Sequence, residues 1–326
     1  MGRRLILLIL IVTLALSGCC YAPGNEKTSI MEMWMQLPSL PMEDYPSKKK
    51  PSGEQAEDST APTEIEEIVA PVVNLDEMPH REPGDFVRLR DYIPDVVIEL
   101  KYATSANFTG SVVYDFTEVY LRYSTVLKLM DVQAELREQG YRLKIWDGFR
   151  PLDAQQKLWN AKPDPKYVSN PQTGTNSHSR GHTVDVTMVD RNGKDVEMPT
   201  GFDDFTTYAD RDYSDCTDAA AANATLLQEV MTKHGFVGLQ TEWWHFTEDT
   251  EYPIENIFDP AAVSLWRAEC NEYINLRVSP DVSAGVLTTI PDNQQFKVLG
   301  WVGGFAFVEY QDVRGYVNAN YISRVE

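Results

Sequence analysis

Five histidines occur in the chain, at positions 80, 178, 182, 234 and 245, and two of them keep company that could do chemistry. His178 precedes a turn-like Ser179-Arg180-Gly181 step, which leads into a short β-type run holding Asp185. His245 closes the segment Glu242-Trp243-Trp244-His245. A His, an Asp and a distant Glu-x-x-His make a composition suited to zinc. Catalytic zinc takes three protein ligands from His and carboxylate and leaves a fourth position for water. A carboxylate beside the metal can then act as general base for that water. An oxygen that ligates the metal is not free to take a proton, so Asp185 and Glu242 would hold separate jobs. Spacing alone also allows the plainer reading, in which these are core histidines with satisfied hydrogen bonds. His182 is expected to point away from any such site, because period-two alternation puts 183 and 185 on one strand face and 182 on the other.

The surrounding elements mix helix and strand. Residues 120–140 carry Leu121, Val126, Leu127, Leu129, Met130, Val132 and Leu136 at spacings that predict an amphipathic helix, and Gly140 is a helix stop. Residues 141–146 alternate as a strand. Residues 219–234 predict a second helix, closed by Gly235. This order reads as α+β rather than regular βαβ alternation. The expected architecture is a central antiparallel sheet flanked by helices, followed by a small all-β barrel.

Composition narrows the partners. The 326 residues carry 29 Lys and Arg against 49 Asp and Glu, a formal charge of −20. Such a chain has no global positive field for nucleic acid. Its mean hydropathy of −0.35 excludes a polytopic membrane protein. Residues 21–85 hold 14 acidic and 5 basic residues and 9 of the 19 prolines. They cannot bury enough apolar surface to offset chain entropy and read as a tether, the Lys48-Lys49-Lys50 run included. Met31, Met33, Trp34 and Met35 are the apolar exception in it. Cys216 and Cys270 lie in the globular part, where an oxidising compartment would favour a pair between them.

The N-terminus opens with Arg3 and Arg4 and an apolar run from Leu5 to Leu16, too short for a bilayer span and typical of an export signal. Leu16-Ser17-Gly18-Cys19 resembles the lipobox of bacterial lipoproteins. That resemblance implies a signal peptide over 1–18, diacylation of Cys19 and a membrane anchor facing the periplasm or cell exterior, with residues 19–85 as lipidated Cys and linker. Residues 271–326 are rich in Val, Ile, Tyr and Phe broken by turn residues. They resemble the bacterial SH3-like domain in Leu276-Arg277, Ser279-Pro280, Gly285-Val286-Leu287, Ile290-Pro291 and Gly315-Tyr316-Val317. This implies either a cell-wall peptide contact or a buttress for the catalytic unit.

Residues 86–270 carry the most specific resemblance. Lys101-Tyr102-Ala103-Thr104 with Asn107-Phe108-Thr109-Gly110, then Trp146-Asp147-Gly148-Phe149-Arg150-Pro151, then Ser177-His178 with Asp185, then Glu242-Trp243-Trp244-His245 follow one order. Together they are similar to the motifs of the zinc-dependent D-alanyl-D-alanine dipeptidases of the VanX type. The resemblance implies one zinc ion held by His178, Asp185 and His245, with Glu242 as catalytic base. It implies that Arg150 stabilises the tetrahedral oxyanion, that Tyr102 and Asp203 lie near the substrate's free amine, and that Ser177 touches the substrate. The implied substrate is a small D-amino-acid dipeptide. A D,D-carboxypeptidase or endopeptidase acting on stem peptides is the alternative, and a non-catalytic wall-binding lipoprotein a weaker one. Asn176 and Thr183 depart from the family pattern and bear on fine substrate preference.

Overall fold

The computed structural model describes residues 73–325. The expected signal peptide, Cys19, the 31–35 cluster and the lysine run lie outside the described residues. In chain order the first part contains β1 (Phe86–Arg88), α1 (Leu89–Tyr92), β2 (Val97–Ile98), β3 (Tyr120–Arg122), α2 (Tyr123–Glu138), β4 (Tyr141–Asp147) and α3 (Leu152–Ala161). It continues through β5 (Thr183–Asp190), α4 (Asp218–Lys233), β6 (Phe236–Leu239) and β7 (Glu242–Glu248). Among the described residues no helix is long and apolar enough to cross a membrane.

Five strands form the sheet under the candidate site, in the order β2-β4-β5-β7-β6. It is antiparallel except at its edge, where β2 runs parallel to β4. That edge departs from an all-antiparallel sheet because the chain returns from β2 to β4 through a long crossover that includes α2, the connection a parallel pair requires. The central strand β5 is buried along nearly its whole length. Val184, Val186 and Met188 fill one face, and Thr183, Asp185 and Thr187 occupy the other. One strand therefore supplies both core and chemistry.

Two helices cover the apolar face. Val126, Leu129, Val132 and Leu136 have no exposed surface, and their 3-4 spacing gives α2 one continuous buried stripe. The helix starts at Tyr123 rather than 120 because Tyr120–Arg122 pairs antiparallel with β1. It ends at Glu138 and is closed by Gly140, whose φ of 81° is left-handed and costs glycine little. At the start of α4 the Thr217 hydroxyl accepts from the Ala220 N–H, a cap that fixes the first turn.

The second sheet joins β8 (Ser264–Ala268), β9 (Tyr273–Arg277), β10 (Val286–Pro291), β11 (Gln295–Val302), β12 (Phe305–Tyr310), β13 (Val313–Asn318) and β14 (Ile322–Arg324). Its core is Leu276, Ile290, Val298, Ala306, Val308 and Val317. It takes in β8, which pairs with β11 and β14 although it precedes residue 271.

The two parts meet through aromatic packing. Phe258 stacks on Phe86 at 4.3 Å between ring centres and packs with Phe149 and Leu299. At Gly300 a side chain is impossible, since a Cβ would stand 1.9 Å from the Ile257 carbonyl oxygen. Arg314 bonds Asp85 at 2.9 Å and the Phe86 carbonyl at 3.0 Å, and Arg81 bonds Glu309 at 2.9 Å. Cys216 and Cys270 are both free thiols, against the expected pair. Cys216 bonds the Tyr213 carbonyl, whereas Cys270 packs against the barrel core.

Candidate metal centre

Sheet register brings the key groups into a row. Asp147 on β4 is opposite Asp185 on β5, and Asp185 is opposite His245 on β7. Directly opposed residues project on the same face, so one line across three strands carries two carboxylates and an imidazole. A bulge between Ile145 and Asp147 re-aims the end of β4 into this row. His178 enters from outside the sheet, on a short 3-10 turn closed by Gly181 at φ 81°. Any Cβ on Gly181 would lie 2.5 Å from the Phe86 ring, so the turn can approach that ring only with glycine there.

The three side chains converge tightly. His245 Nδ1 lies 3.0 Å from Asp185 Oδ1, and His178 Nε2 lies 3.4 Å from Asp185 Oδ2 and 3.3 Å from His245 Nδ1. All three ligand atoms fall within 4.8 Å of one another. The outer nitrogens are also accounted for. His178 Nδ1 donates to the Gly148 carbonyl at 2.9 Å, which leaves Nε2 directed at the cluster, carrying a proton toward Asp185 in the metal-free chain and offering its lone pair once a metal replaces that proton. His245 Nε2 faces the Thr247 hydroxyl at 3.4 Å, so Nδ1 is the inward atom. Two neutral imidazole nitrogens and a carboxylate, oriented from behind, suit zinc. Burial alone would raise the Asp185 pKa, but His178 and His245 hold it well below the usual carboxylate range. Burial likewise opposes protonation of His178, and the Asp185 charge outweighs it.

Arg150 stands beside this cluster, almost wholly buried. Its Nε and Nη2 donate to Asp147 Oδ2 at 3.0 and 2.6 Å, and its Nη1 donates to Gln155 Oε1 at 2.9 Å. Nη2 is 4.0 Å from Asp185 Oδ2. Asp147 also accepts from the Tyr114 hydroxyl at 2.6 Å and the Gly148 N–H at 2.8 Å. A buried charge of this kind is costly unless paired and hydrogen-bonded, and each of the three guanidinium nitrogens makes such a bond. Asp147, Gln155 and Tyr114 received no role from the sequence. The signal for Asp147 was present, a carboxylate three residues before Arg150. For Gln155, on α3, there was none.

The other expected residues fall into two groups. Glu242 opens β7, with Oε2 3.6 Å from His245 Nδ1, and its pKa is raised by burial against the pull of His245. Tyr102 is buried, places its ring 5.1 Å from the Arg150 guanidinium and donates its hydroxyl to Asp203 Oδ2 at 3.0 Å. Asp203 has φ 55°, a left-handed backbone unusual for a residue with a side chain. Its carboxyl is pushed up to about 8 by burial and by the Asp185 charge. Phe202 and Phe108 pack around Tyr102. Ser177 precedes the His178 turn, half-buried, and its side chain does not cap it. His182 turns away, as alternation predicts, with Nδ1 2.7 Å from the Thr250 carbonyl. Asn176 has a structural reason for its identity. It adopts φ 47°, and its amide donates to the carbonyls of Asn170, Pro171 and Gly174.

Residues 82–262 match the sequence profile of the D-Ala-D-Ala dipeptidase family, and residues 272–323 match that of the bacterial SH3 domain. The D-alanyl-D-alanine dipeptidase of Escherichia coli K12 is 37% identical over 172 residues, which cover 52% of this chain and 89% of that protein. The D-alanyl-D-alanine dipeptidase of Enterococcus faecalis is 31% identical over 189 residues, covering 52% and 94%. A crystal structure of the vancomycin-resistance D,D-pentapeptidase VanY with Zn(II) aligns over 40% of this chain and 74% of its own at 16% identity, with a TM-score of 0.27. With its profile spanning more than half of the sequence, the chain belongs to the D-Ala-D-Ala dipeptidase family of peptidases and carries a bacterial SH3 domain behind the peptidase.

Proposed function

We propose that this chain is a zinc dipeptidase that hydrolyses D-alanyl-D-alanine or a closely related D-amino-acid dipeptide. The observation that carries this reading is the convergence of His178, Asp185 and His245 beside Glu242 and a buried, fully oriented Arg150. His178, Asp185 and His245 would hold one zinc ion per chain. When bound, zinc supplies Lewis-acid chemistry, polarising a carbonyl and acidifying water. The remaining steps belong to the protein. Glu242, made more basic by burial, takes a proton from the attacking water as its oxygen adds to the peptide carbonyl carbon. The Arg150 guanidinium stabilises the oxyanion that forms, and its bonds to Asp147 and Gln155 mean that it need not reorganise as charge develops. Glu242 then gives its proton to the departing amine nitrogen as the C–N bond breaks. Tyr102 and Asp203 bind the substrate's free ammonium, and Ser177 lies against the substrate.

The attached SH3 domain favours a second reading, a D,D-carboxypeptidase on wall stem peptides. A free ammonium requirement separates them. D-Ala-D-Ala should be cleaved and its N-acetylated form resisted, whereas a carboxypeptidase would cleave the N-acetylated form.

The same reading extends to location. The Leu16-Ser17-Gly18-Cys19 sequence supports export and lipidation at Cys19. Cys19→Ser should move the protein from the membrane pellet to the soluble extracytoplasmic fraction; an unchanged pellet would remove the anchor from the account.

Glu242→Gln should abolish turnover while one zinc per chain remains by elemental analysis, and His178→Ala should lose the metal itself. Arg150→Ala should reduce kcat by about 10²–10³ with zinc retained, the usual effect of losing one oxyanion contact. Near-normal hydrolysis by Glu242→Gln would refute the assignment of the base.

Asp203 yields a pH prediction for the metal-free chain. Its folded pKa of about 8 lies above the ordinary 3.8, so the native state keeps a proton that the unfolded state releases. Its contribution to stability is therefore present at low pH and lost as pH rises toward 8. Urea unfolding after chelation should show Asp203→Asn gaining on the wild type by about 1.4 kcal/mol per pH unit between pH 5 and 7. A constant difference across that window would contradict the buried, protonated carboxyl.

A further inference from the structure

A second cavity, separate from the metal centre, opens where the peptidase meets the barrel. It encloses about 330 Å³, within the range of ligand pockets, roughly 300–1,000 Å³. Its aromatic lining comes from both parts: Tyr114, Phe116, Phe149 and Phe258 on one side, and Trp301 of the barrel on the other. Tyr114 and Phe116 stack at 4.5 Å, giving a flat apolar wall. Trp301 is 41% exposed although it packs edge-on against Trp266, so its ring remains available to a ligand.

The polar groups in this groove are almost all of one sign. Asp115, Asp153 and Asp259 line it, and Asp259 is held up by burial and by repulsion from the other two. The fourth carboxylate, Glu255, is already engaged by Arg122 at 3.3 Å and by the backbone N–H groups of residues 256–258. Among the described residues the one cation within 4 Å of these three aspartates is Lys157, 3.5 Å from Asp153 and bonded to the Val113 carbonyl. Asp115 and Asp259 have no cation within 4 Å among the described residues, and the Asp259 carboxylate accepts only the Ala261 N–H. A largely polar groove with aromatic side chains in its wall and excess negative charge fits an aliphatic arm that ends in an amine, its methylenes against the rings and its ammonium among the carboxylates.

We propose that this groove is a binding site, distinct from the metal centre, for a peptide side chain bearing a terminal amine, such as lysine or a related diamino acid. Its position gives it a route to the chemistry. Tyr114 in its wall donates to Asp147, the residue that holds Arg150, and Phe149 and Pro151 flank that arginine. Trp301 makes the barrel part of the site, so the barrel contributes a ligand contact as well as packing.

The test uses the full chain and two fluorescently labelled peptides free of D-alanine. One is Ala-Lys-Ala-amide with the fluorophore on its N-terminal nitrogen, and the other is the same peptide with the lysine amine acetylated. Fluorescence anisotropy should show the free-amine peptide binding at least about tenfold more tightly, the effect of one charge-assisted contact. The double substitution Asp115→Asn with Asp153→Asn should erase that difference, and Trp301→Ala should weaken both peptides. Equal affinity for the two peptides on the wild-type chain would overturn the proposal, as would binding unaffected by the double substitution. Hydrolysis of D-Ala-D-Ala by the double variant should equal that of the wild type. That assay tests the metal centre separately, so failure of either reading is recognisable.

Discussion

Asp185, a carboxylate with almost no solvent contact, stays charged because two imidazoles face it. Much of the site depends on this constraint. An isolated charge in that position would be expensive, and the protein avoids the cost by pairing it on both oxygens. The pairing is a matter of register. Asp147, Asp185 and His245 are opposite one another on three neighbouring strands, so a slip of one residue in β5 would send Asp185 into the apolar core and bring a valine into the site. The alternation of Val184, Val186 and Met188 with Thr183, Asp185 and Thr187 guards that register, because the apolar set has only one face on which it can be buried.

The second requirement is that the groups around the carboxylate be held before any ligand arrives. His178 is oriented by the Gly148 carbonyl, and Arg150 by Asp147 and Gln155. Gln155 in turn donates to the Ser169 carbonyl at 2.6 Å, which ties the arginine to the loop leading to His178. Behind this shell lies Phe86, which touches the site of Gly181, stacks on Phe258 and receives the Arg122 guanidinium on its face at 4.1 Å. The barrel thus packs against residues immediately behind the metal turn. Support from behind is what keeps a site within the fraction of an ångström that catalysis demands.

Local chemistry was legible in the sequence, and long-range geometry was not. His178, Asp185, Glu242 and His245 could be singled out because each lies in a short motif with a recognisable composition. The sequence carried no sign that β4 and β7 flank β5 with these residues in one row, since register depends on contacts far apart in the chain. The helix expected at 120–140 begins three residues late because Tyr120–Arg122 has a strand partner in β1. Helix α3 leaves little trace in the sequence because its apolar positions are few and it follows directly on Pro151, so Gln155 has no context there. Strand β8 lies ahead of the expected barrel boundary because its partners, β11 and β14, come later in the sequence. The left-handed backbone of Asp203 was equally invisible, although its position within the motif order was not.

The most direct measurement of the central claim is zinc K-edge X-ray absorption on the full chain loaded with one equivalent of metal. The account predicts a first shell of two imidazole nitrogens and low-mass oxygen or nitrogen donors, with no zinc retained by His178→Ala and the spectrum altered in Asp185→Asn. A shell containing thiolate sulfur, or a spectrum unchanged by both substitutions, would contradict it.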